Sequence, residues 1–101
     1  MRNRKDLRDL LRETVKPATV YFQPPTGTKL TYPCLIYELS DIAKENADNR
    51  PYILTDGYSI TYISKNPDDE NYRKLAALPG CYFDRSFRSD NLVHWVYTIY
   101  F

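Results

Sequence analysis

The stretch "CYFDRSFRSDNLVHWVYTIYF", residues 81–101, constrains the fold more than any other part of the chain. Within it Val93, Trp95, Tyr97, Ile99 and Phe101 are all apolar, and a period of two marks a strand with one buried face. "CYFDRSFR" reads as a second strand, and "SDN" between them as a hairpin turn. A lone two-stranded hairpin is marginal in water. The remaining residues must therefore supply more sheet and a layer to cover the apolar face.

That layer is legible at the other end. Leu7, Leu10, Leu11, Thr14 and Val15 recur at the spacing that lines one side of a helix, with Asn3 as its cap and Pro17 as its stop. The opposite side mixes Arg4, Lys5, Arg8, Arg12 and Lys16 with Asp6, Asp9 and Glu13, a solvated face and not a basic stripe. "TVYFQPP" (19–25) is a short β-rich run whose prolines suit a sheet edge, and "TGTK" supplies a turn. "YPCLIYEL" follows as a strand apolar on both sides, as central strands are. "YSITYISK" (58–65) alternates cleanly as another.

Between these two strands, residues 40–57 are polar and acidic until Tyr52. They form either a long loop or a hairpin carried beyond the body of the sheet. A structureless loop of that length is uncommon in a compact domain unless it serves a function. "NPDDENYRKLAALPG" (66–80) predicts a second helix, with Asn66 as cap, Pro67 at the first position and Asp68, Asp69 and Glu70 at the positive end. Its buried face would hold Tyr72, Leu75, Ala76 and Leu78. Helices separated by runs of strands predict an α+β fold: a largely antiparallel sheet of about five strands with two helices packed on one face.

The 101 residues make one domain, 1–101. A net charge of +1 argues against a dedicated nucleic-acid binder. No apolar run approaches the ~18 residues of a membrane span, and "MRNRKDLRDLL" has no apolar signal core behind it, so secretion is not expected. Cys34 and Cys81 form neither a disulfide framework nor a zinc spacing and are expected as buried free thiols. Ten tyrosines suit either half-buried faces and protein contacts or simply the strands themselves.

Catalytic chemistry has no foothold. His94 is the one histidine, and "PPTGTK" lacks the glycines of a phosphate loop. Asp41, Glu45, Asp48 and Asp56 lack the spacing of a calcium loop. No enzyme activity, cofactor or metal is expected. Tyr82, Phe83, Phe87, Arg85 and Arg88 on one strand raise the alternative of a single-stranded nucleic-acid module, in which aromatics stack bases.

"VYFQPP", "YPCLIYEL", "ADNRPY", "YSITYISKNPDDE" and "LPGCYFDRSFRSDNLVHWVYTIYF" together resemble the tail terminator (tail completion) proteins of long-tailed bacteriophages and prophages. The likeness runs along nearly the whole chain, in element order and local strings. It implies a structural virion assembly protein, a homo-hexameric ring that caps the tail tube, ends its polymerisation and offers the head a docking surface. The implied partners are the major tail tube protein and the head-completion or connector protein. Genomic DNA only passes through the channel, and no membrane is involved. The implied location is the tail–neck region of the virion, assembled in the host cytoplasm. A head–tail connector or stopper shares this architecture and stays open as an alternative.

Expected interface residues are Glu45, Asp48 and Arg50 in the 41–57 excursion, and Arg85, Arg88 and His94 on the last two strands, with Arg2 and Arg4 as further candidates. Leu92, Val96 and Tyr100 would form an exposed patch on the outer face of the last strand, covered either by a neighbouring subunit or by a helix or loop of the same chain.

Overall fold

The computed structural model describes residues 4–16, 18–47 and 50–101, and between 43 and 54 their backbone only. The order is α1 (Arg4–Thr14), β1 (Thr19–Phe22), β2 (Cys34–Ala47), β3 (Arg50–Ser64), α2 (Asn71–Ala76), β4 (Cys81–Ser89) and β5 (Leu92–Tyr100). The strands form one sheet in the order β1-β2-β3-β5-β4, antiparallel throughout except that β1 runs parallel to β2. This is the expected α+β fold.

One face of the sheet carries the core. Cross-strand partners Leu35 and Tyr62, Tyr37 and Ile60, Tyr58 and Ile99, and Tyr97 and Ile60 bring apolar side chains into adjoining rows. Leu7, Leu11 and Val15 of the first helical segment and Leu75 of α2 close over them, each with no exposed surface. Burying a Leu of this kind stabilises by roughly 1.5–3 kcal/mol. The tyrosines bring hydroxyls into this layer and each is satisfied: Tyr97 donates to the Tyr72 carbonyl at 2.7 Å, and Tyr62 to Asp69 Oδ2 at 2.7 Å.

The second helix differs from its sequence reading. It spans only Asn71–Ala76, and Asn66 caps no helix but accepts a bond from the Asp68 N–H at 2.9 Å, closing a turn before it. The acidic residues stand just before α2, with Glu70 at the N-cap position but making no side-chain cap bond. Asp69 takes the Tyr62 hydroxyl on one oxygen and the Asn71 N–H on the other, at 3.0 Å. Asn71 is buried and bridges Tyr62 and the Val15 carbonyl, joining α2, β3 and the end of the first helix. Of the predicted buried face, Leu75 is buried and Ala76 is exposed.

Residues 40–47 and 50–57 belong to paired strands and not to a loop. Beyond Gly57, where β5 stops pairing with β3, β2 and β3 continue together as far as Ala47 and Arg50. The molecule is accordingly elongated, 51 × 28 × 23 Å.

Candidate interface: the arm and the open edge

The hairpin arm is rooted by one aromatic residue. Tyr100 on β5 pairs with Gly57, and its ring lies so close that a Cβ at position 57 would stand 2.9 Å from it. The ring passes over the glycine to reach Asp41 on β2, where its hydroxyl donates to Oδ2 at 3.3 Å. A glycine inside a strand leaves backbone uncovered, and an aromatic laid across it restores the cover. The Tyr100 backbone is held as well: its N–H donates to the Gly80 carbonyl at 3.0 Å. Gly80 has φ +74°, and a Cβ there would meet the Tyr100 carbonyl oxygen at 2.8 Å. The approach at Gly80, against backbone and at positive φ, requires glycine, whereas at Gly57 the crowding is by a side chain that can shift.

At the far side of the sheet β4 is an edge strand. After Cys81 every residue of it is exposed, including Tyr82 at 64 % and Phe83 at 54 %. A bulge at Asp84 shifts its register, so Tyr82, Arg85 and Phe87 share the face away from the helices while Phe83, Ser86 and Arg88 share the helix face. Edge strands offer unpaired backbone groups to another strand, and bulges and charges temper that tendency. Here Arg85 pairs with the bulged Asp84 at 2.9 Å, both side chains more than half exposed, a contact worth at most about 1 kcal/mol. Beside β4 on the helix face lies a groove of about 520 Å³ lined by Tyr72, Arg73, Phe83, Ser86, Trp95 and Tyr97, among others. Trp95 stacks on Tyr72 there, ring centroids 5.4 Å apart.

The expected interface residues fall in three places. Arg85 and His94 both meet the Phe87 ring on the open face, the half-buried His94 ring stacked on it at 4.6 Å and the Arg85 Cζ 5.9 Å from its centroid. Arg88 is on the opposite side of β4, exposed, facing Val93 across the strand. Glu45 and Arg50 belong to the arm strands, their side chains outside the described part, and Asp48 lies outside the described residues, as does Arg2. Arg4 covers the Phe22 ring at 4.4 Å.

The outer patch of β5 is smaller than its sequence suggests. Val96 is buried, flanked by Thr61 and Arg85 on the neighbouring strands, and Leu92 is half-buried, so these short side chains are screened within the sheet. The groove beside Phe83 was the part that sequence reasoning missed, although Phe83 itself was named as a candidate stacking residue. The alternation of β4 signals a strand but not that α2 stops short of covering it.

The two cysteines are the first residues of β2 and β4, buried and unpaired, and burial raises each thiol from an ordinary 9.0 to about 11. Such thiols are inert. Among the described residues no three His, Cys, Asp or Glu side chains gather as a metal site. Among the described residues no helix is long and apolar enough to cross a membrane. Compared with protein-family models and with curated proteins, the sequence gives no significant match.

Proposed function

We propose that this chain is a structural subunit of a phage-type tail: a tail terminator that assembles as a homo-hexameric ring on the end of the tail tube. The observation that carries this reading is the pairing of two unpartnered elements in one small chain, a hairpin arm projecting from the sheet and an edge strand with eight exposed residues in succession. A domain with both is suited to heterologous contacts, which close into rings when their rotation permits. The resemblance in sequence points to the tail tube protein on one side of the ring and a head-completion protein on the other. No cofactor is required, because the work is binding and shape.

The reading is tested by adding the purified chain to tube protein of the phage or prophage that encodes it, then following growth by light scattering and electron microscopy. Substoichiometric chain should halt elongation and appear as a cap at one tube end. Unaltered tube growth with no cap would refute the terminator, and binding to the head-side protein alone would favour a connector or stopper.

A second reading has one specific observation behind it. Tyr82, Phe87 and His94 with Arg85 form an aromatic and cationic patch on the open face, the composition of a base-stacking platform. It predicts affinity for single-stranded oligonucleotides that falls steeply with salt. Fluorescence anisotropy at low ionic strength with no binding removes it.

A further inference from the structure

The junction between successive copies can be placed on the sheet itself, an inference that rests on the homo-oligomeric reading above. Besides the arm, the sheet has two open edges, the outer side of β1 and the outer side of β4. Along β1 the Thr19 and Gln23 N–H groups donate inward to the Pro33 and Tyr37 carbonyls at 3.3 and 3.0 Å. By alternation the backbone groups of Val20 and Phe22 point outward. On β4, Ser89 and Leu92 flank a two-residue turn and form a hydrogen-bonded pair, so the backbone points outward at Ser86 and Arg88. Among the described residues none of these four makes a backbone hydrogen bond beyond its own ladder.

The two edges match in direction and in face. β4 runs opposite to β1, because three of the four pairings between them reverse the chain. A second copy that continues the sheet in the same orientation therefore lays its β1 antiparallel to β4, with both helix layers on one side. Carried on along the existing rows, Thr19 comes opposite Phe87, Val20 opposite Ser86 and Tyr21 opposite Arg85. The outward-pointing residues Val20 and Ser86 then face each other, as an antiparallel ladder requires. Phe22, which packs on Tyr37, comes beside Phe83, which packs on Tyr97.

Charge favours this pairing over an edge meeting its own twin. Two β4 edges side by side would gather four arginines against two Asp84 carboxylates along one seam, whereas β1 is the uncharged run Thr-Val-Tyr-Phe. Above β1, Arg4 lies on the Phe22 ring, and Arg8 and Arg12 continue that flank of α1 at successive turns. Two β1 edges would bring these cationic flanks together. Beside β4 the flank meets the mouth of the groove, where Asp68 and Glu70 stand exposed between Pro67 and Arg73. The contact is small: Phe83 and Phe87, exposed by 54 % and 42 %, offer roughly 200 Å² between them at about 200 Å² per ring. A stable pair needs about 800 Å² from each partner, so one junction alone is weak and a closed series, with two junctions per copy, holds.

We infer that the outer edge of β1 in a second copy of this chain adds antiparallel to the outer edge of β4, so that the sheets of neighbouring copies run on as one. The contact is heterologous: each copy gives one edge and receives the other, and the series continues until it closes.

The test places Thr19→Cys and Phe87→Cys in separate variants and joins them with a bismaleimide long enough to span a two-residue slip in register, ~7 Å. Cys34 and Cys81 are buried and leave the wild type uncross-linked. Neither variant alone should give a covalent dimer, their equimolar mixture should give one, and a chain carrying both changes should give a ladder that ends at the closed ring. Ser86→Pro removes an outward N–H and leaves the β4–β5 ladder whole, so it should raise the concentration needed for assembly at least about tenfold by native mass spectrometry, with Ser86→Ala unchanged. Near-ultraviolet circular dichroism and Trp95 fluorescence verify that each variant is folded. A homodimer from Phe87→Cys alone shows β4 meeting β4, one from Thr19→Cys alone shows β1 meeting β1, and either overturns the inference. Ser86→Pro assembling like wild type, or an oligomer whose mixed variants do not cross-link, removes this junction and leaves the ring itself standing. A chain that stays monomeric and uncross-linked at every concentration overturns the inference outright, whereas the terminator reading is decided separately by the tube-end experiment.

Discussion

Replacing Gly57 by Ala asks whether Tyr100 clamps the root of the arm. An Ala Cβ would stand 2.9 Å from the Tyr100 ring and 3.2 Å from the Asp41 Cβ. The ring is 37 % exposed and swings aside into solvent, so the substitution costs no more than the ring's contacts are worth. A cross-strand aromatic contact of this kind is worth about 1 kcal/mol. Against that, Ala in a strand interior gains ~0.5–1 kcal/mol over Gly. Gly57→Ala in the wild type should therefore cost about 0.5 kcal/mol, and Tyr100→Ala should cost about 1 kcal/mol. In the Tyr100→Ala background the same Gly57→Ala change should stabilise by roughly 0.5 kcal/mol, because its obstacle is gone. The crowding at Asp41 is present in both backgrounds and drops out. The coupling of about 1 kcal/mol can be measured by urea titration, with the single Trp95 as the fluorescent reporter. Effects that add to within ~0.3 kcal/mol would refute the clamp.

Tyr62→Phe removes the hydroxyl shared by Asp69 and Asn71 and leaves a buried amide short of a partner, which should cost about 1–3 kcal/mol in the same titration. Gly80→Ala combines a left-handed backbone with a 2.8 Å approach to a carbonyl oxygen and should lower stability by about 2–3 kcal/mol; thermal unfolding no different from wild type would contradict it. Cys34 and Cys81 hold raised thiols in the folded state, so their contribution is complete below pH 9.0 and is lost as pH climbs through about 11, as much as ~2 kcal/mol each. Stability should thus begin to fall above pH 9, and a Cys34→Ala, Cys81→Ala double variant should delay that fall until above pH 10, where the Tyr62 and Tyr97 hydroxyls, also raised by burial, continue it. Neither thiol should react with a disulfide reagent at pH 8 until the chain unfolds.

Much of this fold is written in short-range pattern. The alternation through Val93, Trp95, Tyr97 and Ile99 matches the buried face of β5, and Asp90 and Asn91 take positive φ of 52° and 62° in the hairpin turn that the "SDN" stretch announced. Leu7, Leu11 and Val15 point inward as their spacing requires. What pattern misreads is decided by distant partners. The acidic stretch before α2 has the composition of a helix start, yet Asp69 is recruited by Tyr62 from another strand and the helix begins later. The parallel pairing of β1 leaves no trace in residue types, since strand propensity carries no direction. Of the candidate interface, the arm was visible as an excursion of unusual length. The groove beside Phe83 depends on where α2 ends, and no local signal records that.

β3 is 15 residues long and runs without interruption from the arm into the middle of the sheet, where β2 and β5 hold it from both sides. A pull along the arm's axis is therefore met in shear, by many hydrogen bonds strained together. A push across the arm falls on a two-stranded ribbon that bends with little resistance. The chain is stiff to tension and compliant to sideways displacement, so a partner gripping the arm can shift laterally without disturbing the core, yet cannot draw the arm out without unfolding the domain.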